Sequence, residues 1–98
     1  MDLKRAFGKA LKQVRTHRGL SQEAFSVISS RTYLSTLERG VKSPTLDKIE
    51  VIAGKMEVHP VTLLVMAFLQ GNKSESLNDF LKVIESEVIE LIEDEEQS

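Results

Sequence analysis

The chain contains no cysteine and no tryptophan, and only two prolines, four phenylalanines and one tyrosine. Without cysteine there is no disulfide framework and no thiolate metal site, and a reducing compartment is the natural setting. The opening stretch MDLKRAFGKALKQVR carries charge in every turn, so it lacks the apolar segment of a secretory signal. The longest apolar run, Val61 to Leu69, is broken by Thr62 and is too short to span a bilayer. Groupings that carry chemistry are missing as well. His17 and His59 lie far apart without a carboxylate cluster, which points to surface or capping roles. The serines Ser21, Ser29, Ser30 and Ser35 lack a base and an orienting group, and the glycines form no phosphate-cradling loop. The expectation is a soluble, cytoplasmic chain that is not an enzyme. No catalytic residue, metal, cofactor, small-molecule ligand or membrane contact is expected.

What is present fits one small helical domain. Ninety-eight residues suffice for a single compact unit, and an apolar fraction of 41% suits a core of Leu, Ile and Val. Net charge is −2, but it is unevenly spread. Residues 1–73 hold twelve of the thirteen Lys/Arg and six of the fifteen Asp/Glu, a net of +6. Residues 74–98 hold one and nine, a net of −8. A basic body joined to an acidic tail suits nucleic-acid binding, because counterion release from phosphates supplies much of the affinity.

Periodicity places the helices. Leu3, Phe7, Ala10, Leu11 and Val14 step by three and four over residues 2–18, with Gly19 as the left-handed stop. Ser21 caps a second helix to about Ile28, burying Ala24, Phe25 and Ile28, and Leu20 folds back onto the core. Ser29 and Ser30 make a turn, Ser30 capping a third helix over about Arg31–Arg39. Thr45 caps a fourth, with Leu46, Ile49, Ile52, Ala53 and Met56 inward. His59-Pro60 opens a fifth, with Leu63, Leu64, Ala67 and Phe68 inward. After a hinge at Gly71–Lys73, a sixth helix runs from Ser74 to about Glu93, and the last residues, EDEEQS, fray.

The third helix carries the functional reading. Leu34 and Leu37 form its apolar stripe, so Arg31, Thr32, Ser35 and Thr36 point away from it. These side chains can read base edges or grip phosphates in a major groove. Gln22, in the first turn of the helix before it, can approach a phosphate together with backbone N–H groups. Tyr33 adds a hydroxyl suited to the same backbone.

A basic first helix, G-L-S-Q-E at 19–23, R-T-Y-L-S-T-L-E-R-G at 31–40 and a following S-P together resemble the lambda-repressor-like (Cro/repressor, XRE-type) helix-turn-helix family. The resemblance covers roughly residues 3–68. It implies an all-α fold, a five-helix DNA-binding domain followed here by a C-terminal amphipathic helix. It also implies base contacts from Arg31, Thr32 and Thr36, to which the outward face of the helix adds Ser35. Phosphate contacts are implied from Gln22, Lys42 and Ser43, and the phosphate-contacting set is completed by Arg15, Tyr33 and Arg39. An ion pair between Arg15 and Glu38 would tie the first helix to the end of the recognition helix. The chain departs from the family in one respect: members commonly carry about two more residues between the S-Q-E helix and the recognition helix.

Residues 1–70 are therefore expected to form the DNA-binding domain and residues 71–98 an acidic amphipathic element. Its apolar residues Leu77, Leu81, Ile84, Val88 and Leu91 keep a heptad spacing, widened by Phe80 and Ile92. That seam suits pairing with its copy in a homodimer. Packing back onto its own domain, or gripping a partner protein as in an antitoxin, are the alternatives. The whole then reads as a regulator, more in the manner of a repressor, that binds double-stranded DNA at a pseudo-palindromic operator. Small regulators of this shape include phage-type repressors and restriction–modification controller proteins. A protein-interaction adaptor that keeps the fold without binding DNA is a further alternative.

Overall fold

The computed structural model describes residues 2–72 and 74–97, and Lys73 of the expected hinge and Ser98 of the expected frayed end lie outside them. Among the described residues five α-helices follow one another: α1 (Leu3–His17), α2 (Arg31–Glu38), α3 (Leu46–Lys55), α4 (Pro60–Gln70) and α5 (Leu77–Gln97). Among the described residues there is no strand. A single 3₁₀ turn, Gln22–Phe25, stands where a second α-helix to Ile28 is expected. The shortened connection explains this correction. A 3₁₀ turn rises about 2.0 Å per residue against 1.5 Å for an α-helix, so it covers more distance with fewer residues.

Short polar side chains start each helix by accepting an otherwise orphaned backbone N–H. Asp2 caps α1, Ser21 the 3₁₀ turn, Ser30 α2 and Thr45 α3. The imidazole Nδ1 of His59 accepts from Val61 N–H at 3.0 Å, with Pro60 in the first turn of α4. Ser76, rather than Ser74, opens α5 by accepting from Asp79 N–H at 3.1 Å. α5 also stays helical beyond Glu93, through to Gln97.

Three helix ends share one geometry. Leu20 N–H bonds to Arg15 C=O, Val41 N–H to Thr36 C=O and Val58 N–H to Ala53 C=O. Each bond spans a residue in the left-handed region: Gly19 (φ 71°), Gly40 (φ 74°) and Glu57 (φ 58°). This is the Schellman end, and it favours glycine because a Cβ is strained there. Glu57 is the exception. Glu57→Gly should therefore raise stability by up to about 1 kcal/mol, the relief of left-handed strain exceeding glycine's extra unfolded-state entropy. Thermal unfolding should show a Tm higher by a few degrees, about 4–8 °C per kcal/mol at this size. An unchanged or lowered Tm would mean that the backbone carries no strain at this end.

The core is built from Phe7, Ala10, Leu11 and Val14 of α1, Phe25, Leu34 and Leu37, Ile49, Ile52 and Met56, and Leu63 and Ala67. α1 packs on α2 and α4, and α3 packs on α4, with which it forms an angle of 105°. Three residues expected inside are exposed: Leu3 (44%), Leu46 (80%) and Phe68 (41%). Leu3 and Leu46 occupy the first position of their helices, and Leu3 sits on an open cleft shared with Pro44 and Leu64 that leaves it partly uncovered. Among the described residues no single helix is long and apolar enough to cross a membrane.

α5 does not complete this core. The five seam residues, Leu77, Leu81, Ile84, Val88 and Leu91, are 43–66% exposed. Leu77 and Leu81 instead line one wall of an open apolar groove of about 560 Å³ whose other wall includes Val61, Val65 and Leu69 of α4. The projecting helix also accounts for a radius of gyration of 15.3 Å, where about 13 Å is usual for 100 residues.

Candidate nucleic-acid interface

α2 is held from behind by a polar brace. Arg15 Nε donates to Glu38 Oε2 at 2.6 Å, and its Nη2 donates to Glu38 Oε1 at 3.0 Å. Its Nη1 donates to Leu20 C=O at 2.8 Å. The side chains of Arg15 and Glu38 are 10% and 5% exposed, so a planar bidentate pair is set into the seam between α1 and the end of α2. Gln22 Nε2 donates to Glu38 Oε1 at 3.1 Å and ties the 3₁₀ turn to the same carboxylate. One glutamate thus fixes three segments of chain. Arg15, also expected at a phosphate, has its guanidinium turned into this brace, with all three nitrogens bonded to Glu38 or Leu20.

A close approach of α1 reinforces the placement. Gly8 lies where a Cβ would come 2.5 Å from Leu37 O and 2.6 Å from Glu38 O. The missing side chain lets α1 touch the backbone of α2. Gly40 combines a positive φ with a second close approach, a Cβ there meeting the Arg5 backbone at 2.9 Å. α2 is consequently fixed at its end by packing and by charge.

With the apolar side turned inward, 100° per residue carries Thr32, Ser35, Thr36 and Arg39 round to the opposite side. Thr32 and Arg39 are exposed, Ser35 and Thr36 half-buried. The hydroxyl of Thr36 donates to Tyr33 C=O at 2.6 Å, so toward a ligand it offers an acceptor lone pair and a methyl group. Arg39 Nε donates to Ser35 C=O at 3.3 Å, which lays that side chain along the helix. Arg31, exposed at the N-terminal edge, donates to Glu23 Oε1 at 3.0 Å with both side chains solvated. Such an exposed pair contributes under about 1 kcal/mol, so Arg31 can exchange Glu23 for another acceptor at small cost. Lys42 and Ser43 are exposed in the loop after α2.

Three contributors escaped the sequence reading. Glu23 orients Arg31 across the turn. Lys48 places its Nζ 5.6 Å from the centroid of the half-buried Tyr33 ring and bonds Ile28 C=O at 3.4 Å. Arg18 donates to Met56 C=O at 3.0 Å and to Glu57 C=O at 3.4 Å, clamping the end of α1 to the end of α3. These pairs are separated by 8, 15 and 38 residues, spacings at which no local pattern signals contact.

A short helix presented outward on a helical core, after a turn that braces it, defines a helix-turn-helix DNA-binding protein. A helix-turn-helix family model matches residues 11–63, more than half of the chain. The chain belongs to that family, in its XRE-type branch, and its class is that of DNA-binding transcriptional regulators. It is similar to the control protein C.BamHI of Bacillus amyloliquefaciens, 38% identical over 66 residues, covering 64% of this chain and 82% of that protein. It is also similar to the uncharacterized HTH-type transcriptional regulator y4dJ of Sinorhizobium fredii, 35% identical over 66 residues, covering 65% of this chain and 86% of that protein. No solved structure matches the chain. The family match stops at residue 63, so α5 lies outside it.

Proposed function

We propose that the protein is a homodimeric repressor that binds a pseudo-palindromic operator in the cytoplasm, residues 1–70 reading DNA and residues 71–98 joining the copies. The observation that carries this reading is the outward face of α2, with Thr32, Ser35 and Thr36 framed by the cations of Arg31, Arg39 and Lys42. Such a helix reads only a few base pairs, so affinity and specificity come from two copies in half-sites about 34–36 Å apart, one turn of DNA. The exposed heptad seam of α5 supports pairing between copies, and its acidity keeps that element off the phosphates. The name of the Bacillus relative, a control protein, favours a regulator of gene expression over an adaptor that has lost DNA binding.

Roles divide by side-chain chemistry. Arg31 suits guanine O6 and N7, while Thr32, Ser35 and the Thr36 methyl suit base edges and thymine methyl groups. Gln22, Tyr33, Arg39, Lys42 and Ser43 serve the phosphates on either side. Thr36→Ala should relax sequence preference at one position per half-site, a loss of about 1–3 kcal/mol of discrimination. Lys42→Ala should weaken all sequences alike and lower the salt slope by about one counterion. Binding of both variants to a panel of operator mutants across a salt series checks this. A uniform loss from Thr36→Ala would remove its base-reading role.

A further inference from the structure

The seam of α5 is apolar, exposed and flanked in a way that matters for what covers it. Taking Leu77 as the centre, Leu81, Ile84, Val88, Leu91 and the flanking Phe80 and Ile92 fall within one stripe about 120° wide at 100° per residue. Glu87 and Asp94 border one side of that stripe and Glu85 the other. Over residues 77–94 there are six carboxylates and a single cation, Lys82, which sits on the far side of the helix.

When two copies lay their stripes together, the bordering positions of each helix face those of the other. In ordinary coiled coils these positions carry opposite charges that choose the partner. Here either orientation brings carboxylates together or sets them against apolar side chains, with no cation to offset them. The apolar stripe therefore accepts its own copy while the borders oppose it, a mismatch that a differently charged helix would remove.

We propose that the α5 seam is an exchange surface whose better-matched occupant is a cationic amphipathic helix of another protein, carrying Lys or Arg at the positions that flank its own apolar stripe. Such a helix keeps the apolar contact, replaces carboxylate repulsion by attraction, and displaces the second copy. Loss of the dimer then removes one of the two reading helices, so the surface regulates DNA binding. This rests on the dimeric reading given above. It makes partner choice a matter of charge and not of apolar area.

The test uses the full chain and two synthetic three-heptad peptides with the same Leu/Ile/Val stripe, one with Lys and one with Glu at every flanking position. Fluorescence anisotropy should give at least about tenfold tighter binding of the Lys peptide, equivalent to about 1.4 kcal/mol, with the preference shrinking as salt rises. Sedimentation should show that the Lys peptide converts the dimer to a one-to-one complex, while the dimer alone tightens with salt. Glu85→Lys/Glu87→Lys should reverse the peptide preference while leaving the fold unchanged by circular dichroism. Equal affinity for both peptides, or an unreversed preference in that variant, would overturn the proposal. A chain that binds the Lys peptide but is monomeric without it would refute the dimeric reading and leave the charge preference standing.

Discussion

Arg15→Ala should lower the unfolding free energy by about 3–5 kcal/mol, because it leaves the Glu38 carboxylate buried without its partner. That is a large share of the roughly 5–15 kcal/mol that holds a domain of this size together. The change also strips Leu20 C=O of a donor and leaves Gln22 as the remaining side-chain bond to Glu38. Urea unfolding followed by circular dichroism should show a much lower midpoint with an unchanged slope. A double replacement, Arg15→Met with Glu38→Leu, should cost far less than the two single changes added together. Apolar side chains of similar volume remove the uncompensated charge as well as the pair. Additive losses would mean that the brace is a set of independent contacts rather than one unit.

Gly8→Ala should destabilise by about 2–4 kcal/mol, although alanine is the better helix former. The new methyl would stand 2.5 and 2.6 Å from two carbonyl oxygens of α2, and both are backbone atoms with nowhere to rotate. α1 and α2 must separate, which also loosens the brace beside them. At temperatures where the variant stays folded, operator affinity should fall by about tenfold or more, since a displaced reading helix loses more than 1.4 kcal/mol of contact. Gly54→Ala supplies the opposite sign. That glycine is exposed in the last turn of α3 with helical backbone and nothing within 4 Å of an added Cβ, so the same substitution should stabilise by up to about 0.5–1 kcal/mol. Thermal melts of the two variants side by side check the claim, and shifts of the same sign would contradict it.

The contrast between these glycines shows which information is local. Helix starts at Ser30, Thr45 and Pro60 and the stop at Gly19 were legible, because a cap is decided within four residues of chain. The core stripes of α1 and α3 followed from spacing. Leu3 and Leu46 did not, since a residue at the first position of a helix can lie on the correct face and still be left largely uncovered. The third Schellman end hides behind a glutamate, Glu57, where glycine would have announced it. Family resemblance, rather than spacing, paired Arg15 with Glu38 across 23 residues. Capping and apolar spacing, by contrast, point to an α-helix as far as Ile28 before α2, where the structure has a 3₁₀ turn over Gln22–Phe25. Gly8 gave no sign at all, because a close approach between two helices has no signature in either one.

The outward face of α2 was legible as a set of side-chain types, and the structure changes what those side chains offer. Thr36 has already spent its proton on Tyr33 C=O, so its methyl and lone pairs remain for recognition. Arg31 is tethered to Glu23, and in its proposed role it would reach a base by exchanging one acceptor for another. Both refinements depend on backbone atoms and on a residue across the turn, which the sequence does not bring together.

The central claim is that two copies of α2 read two related half-sites. Selection of binding sequences from random duplexes by the full chain measures this most directly. Two copies acting together should enrich a two-fold-related site with half-site centres about 10–10.5 base pairs apart, with affinity that falls steeply as salt rises. Failure to enrich any sequence at low salt, or enrichment of a single unpaired half-site, would contradict it.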